Sequence, residues 1–406
     1  MGMATIEPKP AQKPSLPVGG SEIAASPLSR RSTRIACFFS TSGHSGVDRA
    51  AKHLIPALAR RGYQVDLLKV RGHGPTLDQI PAGVAVVDLD CRHTYGCIPS
   101  LVRYLREQRP VVMLSDKDRV NRTALLARWI AGTQTRLTFS SGTTISIDLA
   151  TRGRLERWIQ RHSMGRLYRF ADQVIVTSLG VADDMADYTG LAREVIRVVP
   201  SPVVPSRLFT ERLPRPSHPW LGQPETPLIL GAGELCGRKD FETLLRAFAR
   251  VRSRRPCRLI ILGQGRARER LLALAAELGV AGDVDLPGFV PEPYAYMAHA
   301  DLFAFTSRWE GLGFVIIEAL AVGTPVVATD CPSGPSEILQ HGQIGPLVPV
   351  GDHAALAQAM MQTLDAPAPK RTLQAAARPY EIEASTDAYL DAMRLPRHVE
   401  QMPAST

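Results

Sequence analysis

The stretch SRWEGLGFVIIEALAVGTPVVATDCPSGPSEIL, running from Ser307 to Leu339, decides how the rest of the chain is read. Two carboxylates, Glu310 and Glu318, stand eight positions apart. Between them come Gly311, Leu312 and Gly313, then the apolar run Phe314, Val315, Ile316 and Ile317. Glycines let a backbone approach another group closely. A helix starting near Gly313 leaves its first N–H groups free and turns the positive end of its dipole outward, which suits a phosphate. Gly323 stops that helix and Pro325 bars its continuation. Val326 and Val327 then open a buried strand, so the stretch predicts loop, helix, tight turn and strand. Glu310 falls just before the helix and Glu318 about one and a half turns into it. So placed, they would hydrogen-bond sugar hydroxyls on either side of a bound phosphate. A glutamate at a helix start is favourable without any ligand, so the whole run carries the reading, not the pair.

Outward from this stretch the pattern is α/β. Ile35 to Phe39 predicts a buried strand, and Val47, Ala51, Leu54, Ile55 and Leu58 recur at helical spacing, with Pro56 inside the pattern. Tyr63 to Val70, Val111 to Leu114, Leu137 to Phe139 and Val174 to Thr177 predict further strands, with helices at 120–129 and 178–188. Such alternation implies parallel sheets covered on both faces. The proline-rich run from Pro200 to Pro227 reads as a linker. A second doubly wound unit follows, with strands at Leu228–Leu230, Leu259–Leu262, Val284–Phe289 and Leu302–Thr306. The expected organisation is a disordered tail over 1–32, a first Rossmann-like domain over 33–205 and a linker over 206–226. A second such domain over 227–378, a closing helix over 379–394 and a tail over 395–406 complete it.

The chain has 406 residues and a formal charge of +9, with 45% hydrophobic residues. That is enough for two sizeable cores. It has no apolar run of 18 residues and no apolar N-terminal segment, so neither a membrane span nor a signal peptide is expected. Six cysteines are scattered without a CxxC pair, and reduced thiols are the expectation. No nucleic-acid motif accompanies the positive charge. An anionic membrane and a nucleotide-diphosphate substrate are the candidate partners. Residues 153–171 read as a basic amphipathic helix, with Arg154, Arg157, Arg161, Arg166 and Arg169 among Leu155, Trp158, Ile159, Leu167, Tyr168 and Phe170. Its apolar stripe is expected against its own sheet, and contact with an anionic membrane is the alternative.

Taken whole, Ser307 to Leu339 resembles the signature of the large retaining glycosyltransferase family four, typified by bacterial polysaccharide, lipopolysaccharide and mannosyl-lipid transferases. The resemblance implies the GT-B fold, two Rossmann-like domains facing a cleft. By position, Glu310 reaches hydroxyls of the transferred sugar and Glu318 the nucleotide ribose. Gly311, Leu312, Gly313, Phe314 and Val315, with Gly288 and Phe289, line the donor. Lys239, in its Lys-Asp-Phe setting, grips the diphosphate. Glu234 stands where many relatives place arginine, and Arg238 is the candidate replacement; Glu234 is expected to turn away or to pair with Arg238 or Lys239. In the first domain Gly46-Val-Asp-Arg49 matches the family's Gly-Gly-x-x-Arg loop, with Ser45 in place of the first glycine. Many relatives carry a histidine after the strand that here ends at Ser115, and this chain offers Asp116 and Lys117.

The implied reaction is metal-independent, cofactor-free transfer of a hexosyl unit with retention, the leaving phosphate taking the acceptor proton. A UDP-hexose or UDP-N-acetylhexosamine donor, with GDP-mannose left open, a glycan or lipid-linked glycan acceptor and a cytoplasmic, membrane-peripheral location go with it. Three other readings are weaker. Gly231-x-Gly233 lacks the third glycine and the acid of a dinucleotide site. Asp283-Val-Asp285 would suit a metal, but it sits at the entry to an apolar strand. A non-catalytic carbohydrate-binding protein would have no need of Glu310, Glu318 and Lys239 together.

Overall fold

A computed structural model describes residues 33–41, 46–150, 152–221 and 226–399. The predicted tail over 1–32 and Ser45 lie outside the described residues. Among them, seven strands form the first sheet: β1 Arg34–Phe39, β2 Gln64–Lys69, β3 Val84–Asp88, β4 Val112–Asp116, β5 Arg136–Ser141, β6 Gln173–Val176 and β7 Ile196–Val198. Six form the second: β8 Leu228–Ala232, β9 Arg258–Leu262, β10 Val284–Gly288, β11 Leu302–Phe305, β12 Val326–Thr329 and β13 Leu347–Val348. The strand orders are β3-β2-β1-β4-β5-β6-β7 and β10-β9-β8-β11-β12-β13, all pairs parallel. Both sheets grow outward one way and then start again on the other side of their first strand. The switch falls between β1 and β4 in one and between β8 and β11 in the other, the place where open α/β sheets bind ligands.

Side chains alternate between two cores in each domain, as a parallel sheet covered on both faces requires. On β1, Ala36 and Phe38 enter one core while Ile35, Cys37 and Phe39 enter the other. On β8, Leu228, Leu230 and Ala232 face away from Ile229. The helix Phe314–Val322 runs between Gly313 at φ +94° and Gly323 at φ +87°, left-handed positions that glycine adopts without a Cβ penalty. Its residues from Ile316 to Val322 are buried. No helix among the described residues is long and apolar enough to cross a membrane.

Several sequence expectations need correction. The run read as a linker is not a free tether. Leu208 and Phe209, within the 3-10 turn Ser206–Phe209, and Leu221 are buried in the second domain's core, together with Val203 and Val204 just before them. Prolines set its path, but its apolar residues hold it down. Cys91 and Cys97 form a disulfide, with Cα atoms 5.4 Å apart; composition alone could not show that the turn Thr94–Cys97 folds back to Cys91. The tail after 394 is partly docked: Tyr63 Oη donates to the Pro396 carbonyl at 2.6 Å and Val399 N to the Arg61 carbonyl at 2.9 Å. The helix Arg154–Leu167 buries Met164 and leaves Leu155, Trp158 and Ile159 exposed, so its apolar stripe faces away from the sheet.

The closing helix Ile382–Ala392 lies on the first domain. Tyr389, Leu390, Ala392 and Met393 join the core of Ile35, Leu54, Ile55 and Leu58. Arg61 pairs with Asp387 at 2.6 Å and Glu383 at 3.0 Å, and Arg60 with Glu383 at 2.7 Å.

Candidate functional site

At the β8–β11 switch point two loops meet. The loop after β8 carries Arg238 and Lys239, and the loop after β11 carries Ser307 to Gly313. They are tied by the backbone: Arg308 N donates to the Arg238 carbonyl at 2.8 Å, and Thr306 Oγ1 to the Lys239 carbonyl at 2.8 Å. Glu310 sits at the centre, almost buried, and accepts three hydrogen bonds. Lys239 Nζ donates at 2.6 Å, Arg238 Nη1 at 2.7 Å and Ser307 Oγ at 2.8 Å. Burial alone would raise the Glu310 carboxyl, but Lys239 and Arg238 outweigh it and hold the group below its ordinary range. The result is a fixed carboxylate beside two cations, three residues before Gly313, the N-cap of the helix Phe314–Val322.

Glu318 lies in that helix, fully buried. Arg49, from the first domain's helix Gly46–Arg60, reaches across and pairs with one carboxylate oxygen. The other oxygen is buried without a hydrogen-bond partner, so the group has an acceptor to spare. Burial pushes Glu318 upward against the pull of Arg49. Burial also raises the nearby Tyr294 phenol to about 12, with Glu318 adding to the shift. The unusual feature is a carboxylate in an apolar helix held by a cation from the facing domain.

The first domain touches the Glu310 loop directly. Thr144 Oγ1 donates to the Glu310 carbonyl at 3.0 Å and Ser178 Oγ to the Gly311 carbonyl at 2.9 Å. A Cβ on Gly311 would stand 1.8 Å from the Gly142 carbonyl oxygen, so only glycine allows this approach. Glu337 accepts from Leu179 N at 2.7 Å and Gly180 N at 2.9 Å, capping a first-domain helix from the second domain. A Cβ on Gly46 would stand 3.7 Å from the Phe314 ring, so the two residues face each other across the cleft.

At the β1–β4 switch point, Asp116 ends β4 with one oxygen buried and unpartnered. Burial pushes its carboxyl up to about 6, against hydrogen bonding from Ser140 and the charge of Lys117. Lys117 is exposed with φ +73° and ψ 142°, outside the usual regions for a side chain of its kind.

The structure brings Arg238, Lys239, Glu310, Gly311 and Gly313 together, and places Leu312, Phe314, Val315, Glu318 and Gly46 around them. Gly288 ends β10 and Phe289 follows it, two strands out from the switch point and outside the Glu310 cluster. Glu234 is exposed and is not the partner of Arg238 or Lys239. Asp283 pairs with Arg252 and Arg258, and Asp285 with His218 at 2.9 Å, which accounts for the Asp-Val-Asp run. Arg49 belongs to the loop matched from the sequence, but its pairing with Glu318 was not foreseen, and the roles of Ser307, Thr144, Ser178 and Glu337 were left out.

Two family models match the chain, one for each domain. "Glycosyl transferase 4-like domain" covers residues 45–202 and "Glycosyl transferases group 1" covers 218–379. One similar protein is the N-acetylgalactosamine-N,N'-diacetylbacillosaminyl-diphospho-undecaprenol 4-alpha-N-acetylgalactosaminyltransferase of Campylobacter jejuni, 30% identical over 61% of this chain and 65% of its own length. Another is the lipopolysaccharide core biosynthesis glycosyltransferase LpsE of Rhizobium meliloti, 32% identical over 56% of this chain and 65% of its own. The chain thus spans about two thirds of each of these relatives. Among solved structures, Anabaena HepE in complex with UDP aligns over 89% of this chain and 99% of its own, with a TM-score of 0.71 at 18% identity. That likeness is one of fold: two Rossmann-like domains facing a cleft.

Proposed function

We propose that this chain, a GT-B-fold relative of bacterial glycosyltransferases of lipopolysaccharide and exopolysaccharide synthesis, transfers a hexosyl or N-acetylhexosaminyl unit from a nucleotide-diphosphate sugar, with a UDP-sugar favoured, to a lipid-linked or growing polysaccharide acceptor. The observation that carries this is the Glu310 cluster: a fixed carboxylate bonded to Lys239 and Arg238, directly before a helix N-terminus, at a switch point facing the other domain. The UDP held by HepE and the N-acetylgalactosaminyl transfer named for the Campylobacter relative favour the same substrate class.

In this reading the diphosphate takes Lys239 and Arg238 as its cations and the N–H groups after Gly313 as donors. Charge grows on the departing phosphate in the transition state, where preorganised donors act most strongly. Glu310 accepts hydroxyls of the sugar. Glu318 takes a ribose hydroxyl on its spare oxygen, with Arg49 holding the carboxylate from across the cleft. The leaving phosphate takes the acceptor proton on the same face, so the anomeric configuration is retained, and no divalent metal is required. The protein works in the cytoplasm, at the inner face of the membrane.

A thermal-shift screen against UDP-, GDP- and ADP-sugars tests the donor. A ligand at a hundred times its Kd stabilises by about 2.7 kcal/mol. The expected result is a shift with UDP-hexoses, and UDP release that persists in EDTA. No shift with any nucleotide sugar would refute the reading, and activity lost in EDTA and restored by manganese would refute its metal independence.

A further inference from the structure

The helix Arg154–Leu167 shows its apolar side to the outside. Met164 is buried on its inner side, with Gln160 and Leu167 half-buried near it. At 3.6 residues per turn, Leu155, Trp158, Ile159 and His162 share the opposite face, at i, i+3, i+4 and i+7. Leu155 is 70% exposed, Trp158 57% and Ile159 48%. The rings of Trp158 and His162 lie 4.4 Å apart. Just beyond the helix, exposed Phe170 meets Trp129 of the helix Asp118–Ala131 edge to face at 5.3 Å, with exposed Ile130 next in sequence. Single exposed apolar residues need no explanation, but a row of them on one helix face does.

The flanks are strongly basic. Between 152 and 170 there are six arginines and one acid, Glu156. Arg154, Arg157, Arg161 and Arg166 have no carboxylate partner among the described residues. Arg161, His162, Arg166 and Arg169 line an open recess of about 470 Å³ with Gly165, Thr189 and Gly190. An apolar stripe with tryptophan, rimmed by arginines, is the pattern of a helix that lies in a lipid headgroup layer. A second copy fits poorly, because a two-fold contact would set these arginines against themselves.

We propose that this face docks the protein on an anionic phospholipid surface, with Leu155, Trp158 and Ile159 inserted at the headgroup boundary and phosphates held by Arg161 and Arg166. The helix begins ten residues after Thr144, whose hydroxyl bonds the Glu310 carbonyl. The purpose assigned here, delivery of a lipid-linked acceptor, rests on the proposed function, but the docking itself does not.

The test is sedimentation of the full chain with vesicles of phosphatidylcholine alone or mixed equally with phosphatidylglycerol. Binding is expected only to the mixed vesicles, and should fall as salt rises. Leu155→Asp with Trp158→Asp, and separately Arg161→Glu with Arg166→Glu, should each weaken it by about tenfold or more. Trp158→Phe should keep most of it. Donor hydrolysis in solution should not change in any of these variants. Failure of the parent to bind mixed vesicles would overturn the proposal, as would full binding by either double variant. A dimer by light scattering that Trp158→Asp converts to monomer, without vesicle binding, would assign the face to a second copy instead. If no nucleotide sugar is turned over but vesicle binding holds, only the acceptor reading falls.

Discussion

Replacing Glu310 by glutamine should move nucleotide binding and turnover in opposite directions. The carboxylate holds Lys239 at 2.6 Å and Arg238 at 2.7 Å, both charge-assisted bonds. Glutamine keeps the shape, but its one oxygen serves one cation and its NH2 faces the other. One bond to a charged group is lost, about 1.5–3 kcal/mol in the free protein. Stability in urea should fall by roughly that amount. The released cation is then available to a diphosphate without a competing carboxylate. Part of the same energy returns on binding, and Arg238 is a third exposed, so solvent reduces it. UDP should bind about tenfold tighter, near 1.4 kcal/mol. Turnover should fall by about a hundredfold or more, because the sugar loses a fixed acceptor for its hydroxyls. Calorimetric titration with UDP and initial rates of UDP release supply both numbers. If UDP binding weakens by the same factor as kcat/KM, Glu310 does not oppose the diphosphate, and the account of Lys239 and Arg238 fails.

Other outcomes follow from the same geometry. Glu318→Ala should weaken UDP binding by about tenfold, while Arg49→Met should destabilise the protein by about 3 kcal/mol, because it leaves a buried carboxylate without its cation; calorimetry and urea midpoints distinguish the two, and parent-like UDP affinity in Glu318→Ala would remove the ribose role. Asp116 binds its proton more tightly in the native state, about 6, than in the unfolded chain, about 3.9. Stability should therefore drop as pH rises from 4 to 6, by at most about 3 kcal/mol, and stay low above that range. Asp116→Asn should flatten this slope and raise the urea midpoint at pH 7; parallel profiles for parent and variant would refute the buried-charge account. Gly46→Val should press on the Phe314 ring and lower kcat/KM by about tenfold without changing the unfolding midpoint; normal kinetics would show that the two residues do not meet in the working enzyme.

The central strands were legible because they are short, near-continuous apolar runs buried on both faces. The reading of Gly313 and Gly323 as helix bounds needed nothing beyond local chemistry. Edge elements were not legible: β3 is mostly exposed and β7 is three residues long, so neither buries a continuous apolar run. The periodicity of Arg154–Leu167 shows that a stripe exists but not which side meets the sheet. In the site, Glu310, Lys239 and Glu318 stood out by spacing and resemblance. Their pairings did not, because Arg49 and Glu318 are joined across 269 positions and Thr144 and Glu310 across 166. Serine and threonine hydroxyls bonding to backbone carbonyls have no distinctive sequence pattern.

The closing helix has a consequence for how the polypeptide is made. Its Leu390 and Met393 fill a core begun by Ile35 on the first strand. A ribosome therefore releases the first half with an apolar gap that only the last part of the chain can fill. The second domain, synthesised later, has both of its cores complete before that helix emerges. The half made first is thus finished last, and a chain stopped near residue 380 would leave the surface of Leu54, Ile55 and Leu58 open to chaperones and proteases.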